Sequence, residues 1–351
     1  MRIELKPFRD ESPEDWSHFV KECDEAWVFH TASFIDAFPY DFSFSIRIDG
    51  SIRGICVMGR VRRRSGAYFV GPGMALSAAA KNATVYGVLR TKLKDLAVSA
   101  GCQGAEFTLS PMAPAHFSKK FADSILYQFS FSEGARWRKS WETLPGFFSV
   151  IDLGLDVTQI IRGFSKGNKA SVSRCKKLGL GLEVQTGQNT NRESWQDFVT
   201  IHRQTYRRSN GEPFSDERLD HLFLLVQSGH MALVNGIENG ICVSSLLLAT
   251  DKSGAFYYAG GAFDDARQKG IMAWTHSEAI RWLKENGYKR YCLGFTITAL
   301  EGTVGGAIGD SKNRFGGNKW PMLCGDLILR PASFFIFQMA PEIVHLFLRV
   351  H

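Results

Sequence analysis

Gly240-Ile241-Cys242-Val243, followed by Ser253-Gly254-Ala255-Phe256-Tyr257, has a counterpart earlier in the chain. Gly54-Ile55-Cys56-Val57 stands 186 residues before the first piece, and Ser65-Gly66-Ala67-Tyr68-Phe69 stands 188 before the second. The elements after each pair repeat as well. In the first copy a strand, Tyr68-Phe69-Val70, runs into Gly71-Pro72-Gly73; a helix with Val85, Leu89, Leu93 and Leu96 on one face comes next and ends before Gly101. The strand Ala105-Glu106-Phe107-Thr108-Leu109 completes it. In the second copy Phe256-Tyr257-Tyr258-Ala259 leads through Gly260-Gly261 and a polar loop to a helix carrying Met272, Ala279, Ile280 and Leu283. Gly287 stops that helix ahead of Tyr291-Cys292-Leu293. The helix ends Gly101 and Gly287 are again 186 apart. Chance identities would not hold that register, so the sequence predicts an internal duplication.

A chain of 351 residues exceeds the size at which one core keeps growing. The prediction is an α/β (α+β) protein of two tandem domains, 1–150 and 151–327, each a mixed, mostly antiparallel sheet flanked by helices. An amphipathic tail, 328–351, carries Phe335, Ile336, Met339, Ile343, Phe347 and Leu348 around Pro341, and docks on the body or on a membrane surface. Asp156 is expected to cap one helix running through Ile160, Ile161, Phe164, Val172, Cys175 and Leu178.

Composition excludes several classes. No apolar run approaches the roughly 20 residues of a spanning helix. The N-terminal residues, MRIELKPFRDESPEDW, have no signal-peptide pattern, which predicts a cytoplasmic protein beginning near Met1, peripheral to the inner face of the membrane where its tail docks there. Seven cysteines without CxxC spacing read as buried reduced thiols, and nine scattered histidines with no HExxH leave a metal site unsupported. The net charge of +7 favours anionic partners: phosphates, nucleic acid or an anionic membrane.

The loop of the second copy reads Asp264-Asp265-Ala266-Arg267-Gln268-Lys269-Gly270-Ile271-Met272. A helix N-terminus offers unpaired amides and partial positive charge, and no Ser, Thr, Asp or Asn immediately precedes this helix to fill them. With Gly270 allowing close approach and Arg267 and Lys269 adding charge, the six residues Arg267, Gln268, Lys269, Gly270, Ile271 and Met272 suit a pyrophosphate. The same motif in an ordinary basic surface loop is the bland alternative.

This arrangement resembles the GNAT (GCN5-related N-acetyltransferase) signature Q/R-x-x-G-x-G/A, which follows the fourth strand and grips the pyrophosphate of acyl-CoA; Met272 stands where Gly or Ala is usual. From about Phe34 to Met322 the chain is similar to the FemAB-like family, whose members carry two GNAT-type domains. The resemblance rests on the basic helix Asn168–Lys177, the run Ala255–Phe263, the helix from Met272 to Gly287, and Lys312-Asn313-Arg314-Phe315-Gly316-Gly317, which is similar to the family's F-K-x-x-F-G ending with Ser311 in place of the first aromatic. It implies transfer of an acyl or aminoacyl group, from acyl-CoA or aminoacyl-tRNA, to an amine or hydroxyl of a cell-wall or polysaccharide precursor.

Acyl transfer needs a deprotonated acceptor, donors for an oxyanion and a proton for the leaving group. Tyr258 is the candidate leaving-group acid, with an aromatic core residue as the alternative. Lys312, after the glycine-rich stretch Gly302, Gly305, Gly306 and Gly309, is the candidate for neutralising phosphate or oxyanion charge, unless Asp310 pairs with it. His202, on a helix with Trp195, Phe198 and Val199, is a candidate base or a hydrogen-bonded core histidine. Tyr206, Arg207, Lys169, Arg174, Arg314 and Phe315 are candidates for binding the acceptor or a tRNA backbone. The Arg62-Arg63-Arg64 run reads as a solvated hairpin turn.

The leading expectation is therefore an acyltransferase taking its acyl group from acyl-CoA, without a metal, and acting on an amine of a small-molecule or lipid-linked glycan precursor in the cleft between the domains. The alternatives are aminoacyl transfer from tRNA to a peptidoglycan precursor, and a catalytically silent GNAT-like binding module.

Overall fold

The computed structural model describes residues 1–63, 66–108, 110, 146–252, 254–297, 304–321 and 324–328. The chain divides into two compact units: Met1–Glu142 with Leu323–His351, and Thr143–Met322.

The first unit runs β1 (Ile3–Pro7), α1 (Pro13–Glu22), α2 (Ala32–Ala37), β2 (Phe44–Ile48), β3 (Ser51–Arg63), β4 (Gly66–Leu76), α3 (Ala83–Ala100) and β5 (Cys102–Thr108). The second opens with β6 (Gly146–Asp152), α4 (Val157–Arg162) and α5 (Lys166–Lys177). The same β-α-α-β-β-β-α-β order comes next: β7 (Gly181–Gln185), α6 (Arg192–Arg208), α7 (Asp216–Gln227), β8 (Met231–Glu238), β9 (Ile241–Asp251), β10 (Gly254–Ala262), α8 (Asp264–Lys269) leading into α9 (Ile271–Glu285), and β11 (Arg290–Ile297). Then come α10 (Val304–Asn313), β12 (Asn318–Pro321) and β13 (Cys324–Ile328).

The sheets share one strand order. The first is β1-β2-β3-β4-β5-β13 and the second, read in the same direction, is β7-β8-β9-β10-β11-β6-β12. In each, one parallel pair, β4–β5 or β10–β11, sits among antiparallel ones. The expected boundaries shift accordingly: β6 pairs with β11, so the second unit begins before residue 151, and β13 pairs with β5, so 324–328 belong to the first sheet. The tail from 329 onward lies outside the described residues, as do Leu109, Arg64 and Gly302.

The hairpins refine the repeat. Asp49-Gly50 and Asn239-Gly240 each put two residues at positive φ (49° and 85°; 53° and 80°), the requirement of a type I′ turn. These turns lie 190 residues apart, so the Gly-Ile-Cys-Val identity is out of structural register. Gly54 sits inside β3, where a Cβ would fall 2.3 Å from Leu76, whereas Gly240 turns the chain in open space.

The long helix expected after Asp156 is two helices. Asp156 caps α4 with its carboxylate on the Thr158 amide at 2.7 Å, Gly163 ends it, and Ser165 restarts α5 by accepting from Asn168 N at 3.2 Å. The Ser165 amide itself donates to Arg314 O at 2.8 Å.

One core of the second unit packs Ile160, Phe164 and Val172 with Ile280, Leu283, Tyr291 and Phe315. Cys23, Cys56, Cys102, Cys175, Cys242 and Cys292 are free and buried, as apolar fillers. Among the described residues no helix is long and apolar enough to cross a membrane, and no group of three or more His, Cys, Asp or Glu is placed to hold a metal ion.

Candidate active site

β10 and β11 pair only at Ala255–Tyr291 and Phe256–Cys292. Just beyond, β10 bulges against β9 between Tyr257 and Ala259, and β11 bulges against β6 between Cys292 and Phe295. Bulges bend strands, so the parallel pair opens at this point. In the first unit the equivalent pair stays paired from Ala67–Cys102 to Gly71–Phe107. Among the described residues the opening lies in the second sheet.

Lys312 stands at it. Its ammonium donates to Phe295 O at 2.9 Å and lies 5.4 Å from the centre of the Phe295 ring, which is 49% exposed. A Cβ on Gly294, which has φ +90°, would come within 3.0 Å of the ammonium. Val304–Asn313 is helical, so Lys312 is fixed by α10, and its partner is a carbonyl, not Asp310. Burial lowers its pKa below the ordinary lysine value.

Behind Lys312 lies a buried polar pair. His276 Nδ1 is 2.8 Å from the Tyr291 hydroxyl, with Tyr257 edge-on at 5.0 Å and Phe315 at 4.7 Å between ring centres. Burial, aided by the Lys312 charge, pushes the His276 pKa down to about 3, so the ring is neutral. Burial raises the Tyr257 and Tyr291 hydroxyls. His276 is not among the residues expected at the site. Its signal is a histidine on the apolar stripe Met272, Ala279, Ile280 and Leu283, where a ring nitrogen must find a partner.

The two strand tyrosines face opposite sides, as the pleat requires. Tyr258, the expected acid, points away from His276: its hydroxyl accepts from Arg218 Nη2 at 2.7 Å, and Arg218 stacks on Phe214 at 3.9 Å. Burial raises its pKa against the opposing effect of Arg218. On that side His202 is fully buried; its Nε2 accepts from the Phe214 amide at 3.1 Å, and Tyr206 and Phe214 pack on its ring at 4.4 Å each. The lone pair a base requires is occupied, and burial, with Arg218 and Arg203, lowers the pKa to about 4. Arg207 is exposed at the end of α6.

The expected pyrophosphate loop is reshaped. Residues 264–269 form α8, and Gly270 joins it to α9 in the left-handed region with no side-chain cap on α9. Gly270 is packed against α5, where a Cβ would meet Ser171 Oγ at 2.3 Å. Arg174 Nη2 donates to Lys269 O. Lys269 pairs with Glu238 at 2.8 Å, Ile271 is fully buried, and Met272 is half-buried. Arg267 and Gln268 remain exposed, Arg267 lying 3.7 Å from Asp264.

The remaining candidates separate. Lys169 reaches Arg162 O at 3.4 Å, and Arg314 O accepts from Ser165 and Asn168. Phe315 is core, edge-on to Phe164 at 5.1 Å; Gly316, φ +68°, lets the chain pass Gly163, whose oxygen would lie 2.1 Å from a Cβ.

This topology, with one opened parallel pair behind a strand–helix junction, defines a GNAT-fold protein. Residues 165–299 match the family model described as an acetyltransferase (GNAT) domain. No curated protein matches the chain significantly by sequence. Among solved structures the chain resembles FemX over 96% of its own length and 99% of that chain, with 11% identity and a TM-score of 0.70. It also resembles the C-terminal domain of a putative lysylphosphatidylglycerol synthetase from Agrobacterium fabrum (14% identity, 94% and 95% covered, TM-score 0.60). L-PGS from Bacillus licheniformis is similar at 14% identity, 93% and 96% covered, TM-score 0.59. The whole chain thus has a FemAB-like fold whose second unit carries the GNAT domain.

Proposed function

We propose that the chain is an acyltransferase moving an aminoacyl group from an aminoacyl-tRNA ester to an amine of an envelope precursor, with Lys312 at the reacting carbonyl. The observation that carries this reading is the Lys312 ammonium held at the β10–β11 opening. The acceptor amine adds to the ester carbon, and the oxyanion develops beside the ammonium, which keeps two protons after its bond to Phe295. The carbon–oxygen bond to the ribose then breaks, and Lys312 protonates the departing oxygen; the proton lost by the attacking amine restores the ammonium. Burial makes this ammonium a readier donor than a solvated lysine.

The choice of donor departs from the leading expectation. Acyl-CoA calls for an open cradle at Arg267–Met272, and Ser171 against Gly270, Glu238 on Lys269 and the burial of Ile271 all count against one. One structural relative, beside L-PGS, is the C-terminal domain of a putative lysylphosphatidylglycerol synthetase, a name that denotes an aminoacyl product. The acceptor, small or lipid-linked, would be met at the cytoplasmic side of the envelope.

Radiolabelled aminoacyl-tRNA and radiolabelled acetyl-CoA, each supplied with nucleotide- and lipid-linked envelope precursors, test this. Label is expected to pass to a precursor amine from the tRNA, and Lys312→Ala to stop it. Transfer from acetyl-CoA alone overturns the donor, and undiminished transfer by Lys312→Ala overturns the centre.

A further inference from the structure

Between Asp156 and Glu183 the chain contains six cations, Arg162, Lys166, Lys169, Arg174, Lys176 and Lys177, and no carboxylate, in a protein whose net charge is +7. All six are exposed on α4 and α5. Among the described residues none of them meets a carboxylate: Arg174 and Lys169 hydrogen-bond to backbone carbonyls, and nearby Glu238 is taken by Lys269. Soluble surfaces normally intersperse both signs, so an unrelieved stripe repels itself and creates a field for a polyanion.

The stripe has direction. Val172 and Cys175 bury one side of α5; Lys166 and Lys177 fall on the opposite side and Lys169 and Lys176 on one flank, a band about 16 Å long. Its N-terminal end is tied to the site, since Ser165 N and Asn168 Nδ2 both donate to Arg314 O, two residues beyond Lys312. Its other half lies on Gly270. The strongly apolar residues within α5, Val172 and Cys175, are both buried, and a single exposed leucine, Leu178, at its C-cap is not the row of large apolar residues an interfacial helix inserts into lipid. Duplex RNA is bound through phosphates and shape and needs no stacking aromatics.

We infer that the α4–α5 face is the docking surface for the phosphate backbone of the duplex part of an RNA donor, which places the acylated end at Lys312. This rests on the donor reading above, and its test is one of binding, independent of turnover. Fluorescence anisotropy of the full chain with a labelled RNA minihelix bearing a free 3′ end, between about 50 and 200 mM salt, reads both affinity and salt dependence. The variant K166E/K169E/K176E/K177E is expected to bind more than 10-fold more weakly, with a log–log salt slope shallower by roughly 3 to 4, at an unchanged melting temperature. Lys312→Ala is expected to keep both affinity and slope, so loss of chemistry and loss of docking are told apart. The inference is overturned if the wild type does not bind the minihelix at low salt, or if the quadruple variant binds it equally well. It is also overturned if only vesicles of phosphatidylcholine with about one-third phosphatidylglycerol are bound and then released by the variant.

Discussion

The Lys312 ammonium and the Phe295 carbonyl oxygen, 2.9 Å apart, fix a positive charge where β11 leaves β10. A charge so placed is worth most in the transition state. Lys312→Ala should lower turnover about 10²- to 10³-fold while donor affinity changes only a few-fold, measured as kcat against Kd. Equal losses in both would contradict the assignment. The ammonium is the working form and burial lowers its pKa, so kcat should fall as pH rises through that lowered value, below the roughly 10.4 of a free lysine. The variant should lack this alkaline limb.

Gly270 and Ser171 form a second pair with a measurable consequence. A Cβ on Gly270 would lie 2.3 Å from Ser171 Oγ, and its φ of +77° disfavours any other residue. Gly270→Ala should cost about 2–4 kcal/mol from the left-handed backbone and the clash together. Ser171→Gly in the same chain should restore the clash portion, leaving about 1 kcal/mol. A glycine serving only a bound pyrophosphate would show no stability rescue, so thermal unfolding of the two variants separates the roles.

These two sites mark how far the sequence can be read. The order of elements is legible because Val85, Leu89 and Leu93, like Ala279, Ile280 and Leu283, are apolar at helical spacing, and all six are buried. Lys312 is visible through the Phe315-Gly316 ending, yet the reason for that ending is not. Phe315 fills a gap between Phe164 and His276, and Gly316 passes under Gly163, contacts formed across a long stretch of chain. The covering of Gly270 by α5 is hidden for the same reason, since no local pattern says which helix packs on a loop. His202 and Tyr258 stand out by residue type, and only tertiary packing shows the Phe214 amide on His202 Nε2, with Nδ1 buried and unpartnered, and Arg218 on the Tyr258 hydroxyl.

His202 should therefore behave as a structural residue. His202→Phe keeps the ring packing but leaves the Phe214 amide without its acceptor, a cost of about 1–2 kcal/mol. Turnover should stay within about 3-fold of wild type, far less than removal of a general base would cause. Burial, with Arg218 and Arg203, depresses the folded pKa to about 4, so the unfolded chain binds the extra proton first. The histidine's contribution to stability is complete above about 6.5 and is lost as pH falls toward 4. A loss of kcat in the variant as large as that of Lys312→Ala would restore His202 to the catalytic set.

Glu11 gives the first unit its own acid sensitivity. The carboxylate is buried beneath Arg47, whose Nε lies 3.0 and 3.2 Å from its oxygens, with Lys6 at 3.5 Å and the Ser12 amide at 3.1 Å. Burial by itself would raise its pKa, but the hydrogen bonds from Arg47, Ser45 and Ser12 outweigh it and hold the value at about 2. Because the folded value is depressed, the stabilisation is present above the unfolded value near 4.5 and disappears as pH falls toward 2. Glu11→Gln should cost about 2 kcal/mol at neutral pH, moderated because Arg47 also bonds Asp15. The melting-temperature gap between variant and wild type should narrow steadily below about pH 4.5. A gap equally wide at pH 7 and near pH 3 would show that the contact works through packing, not through charge.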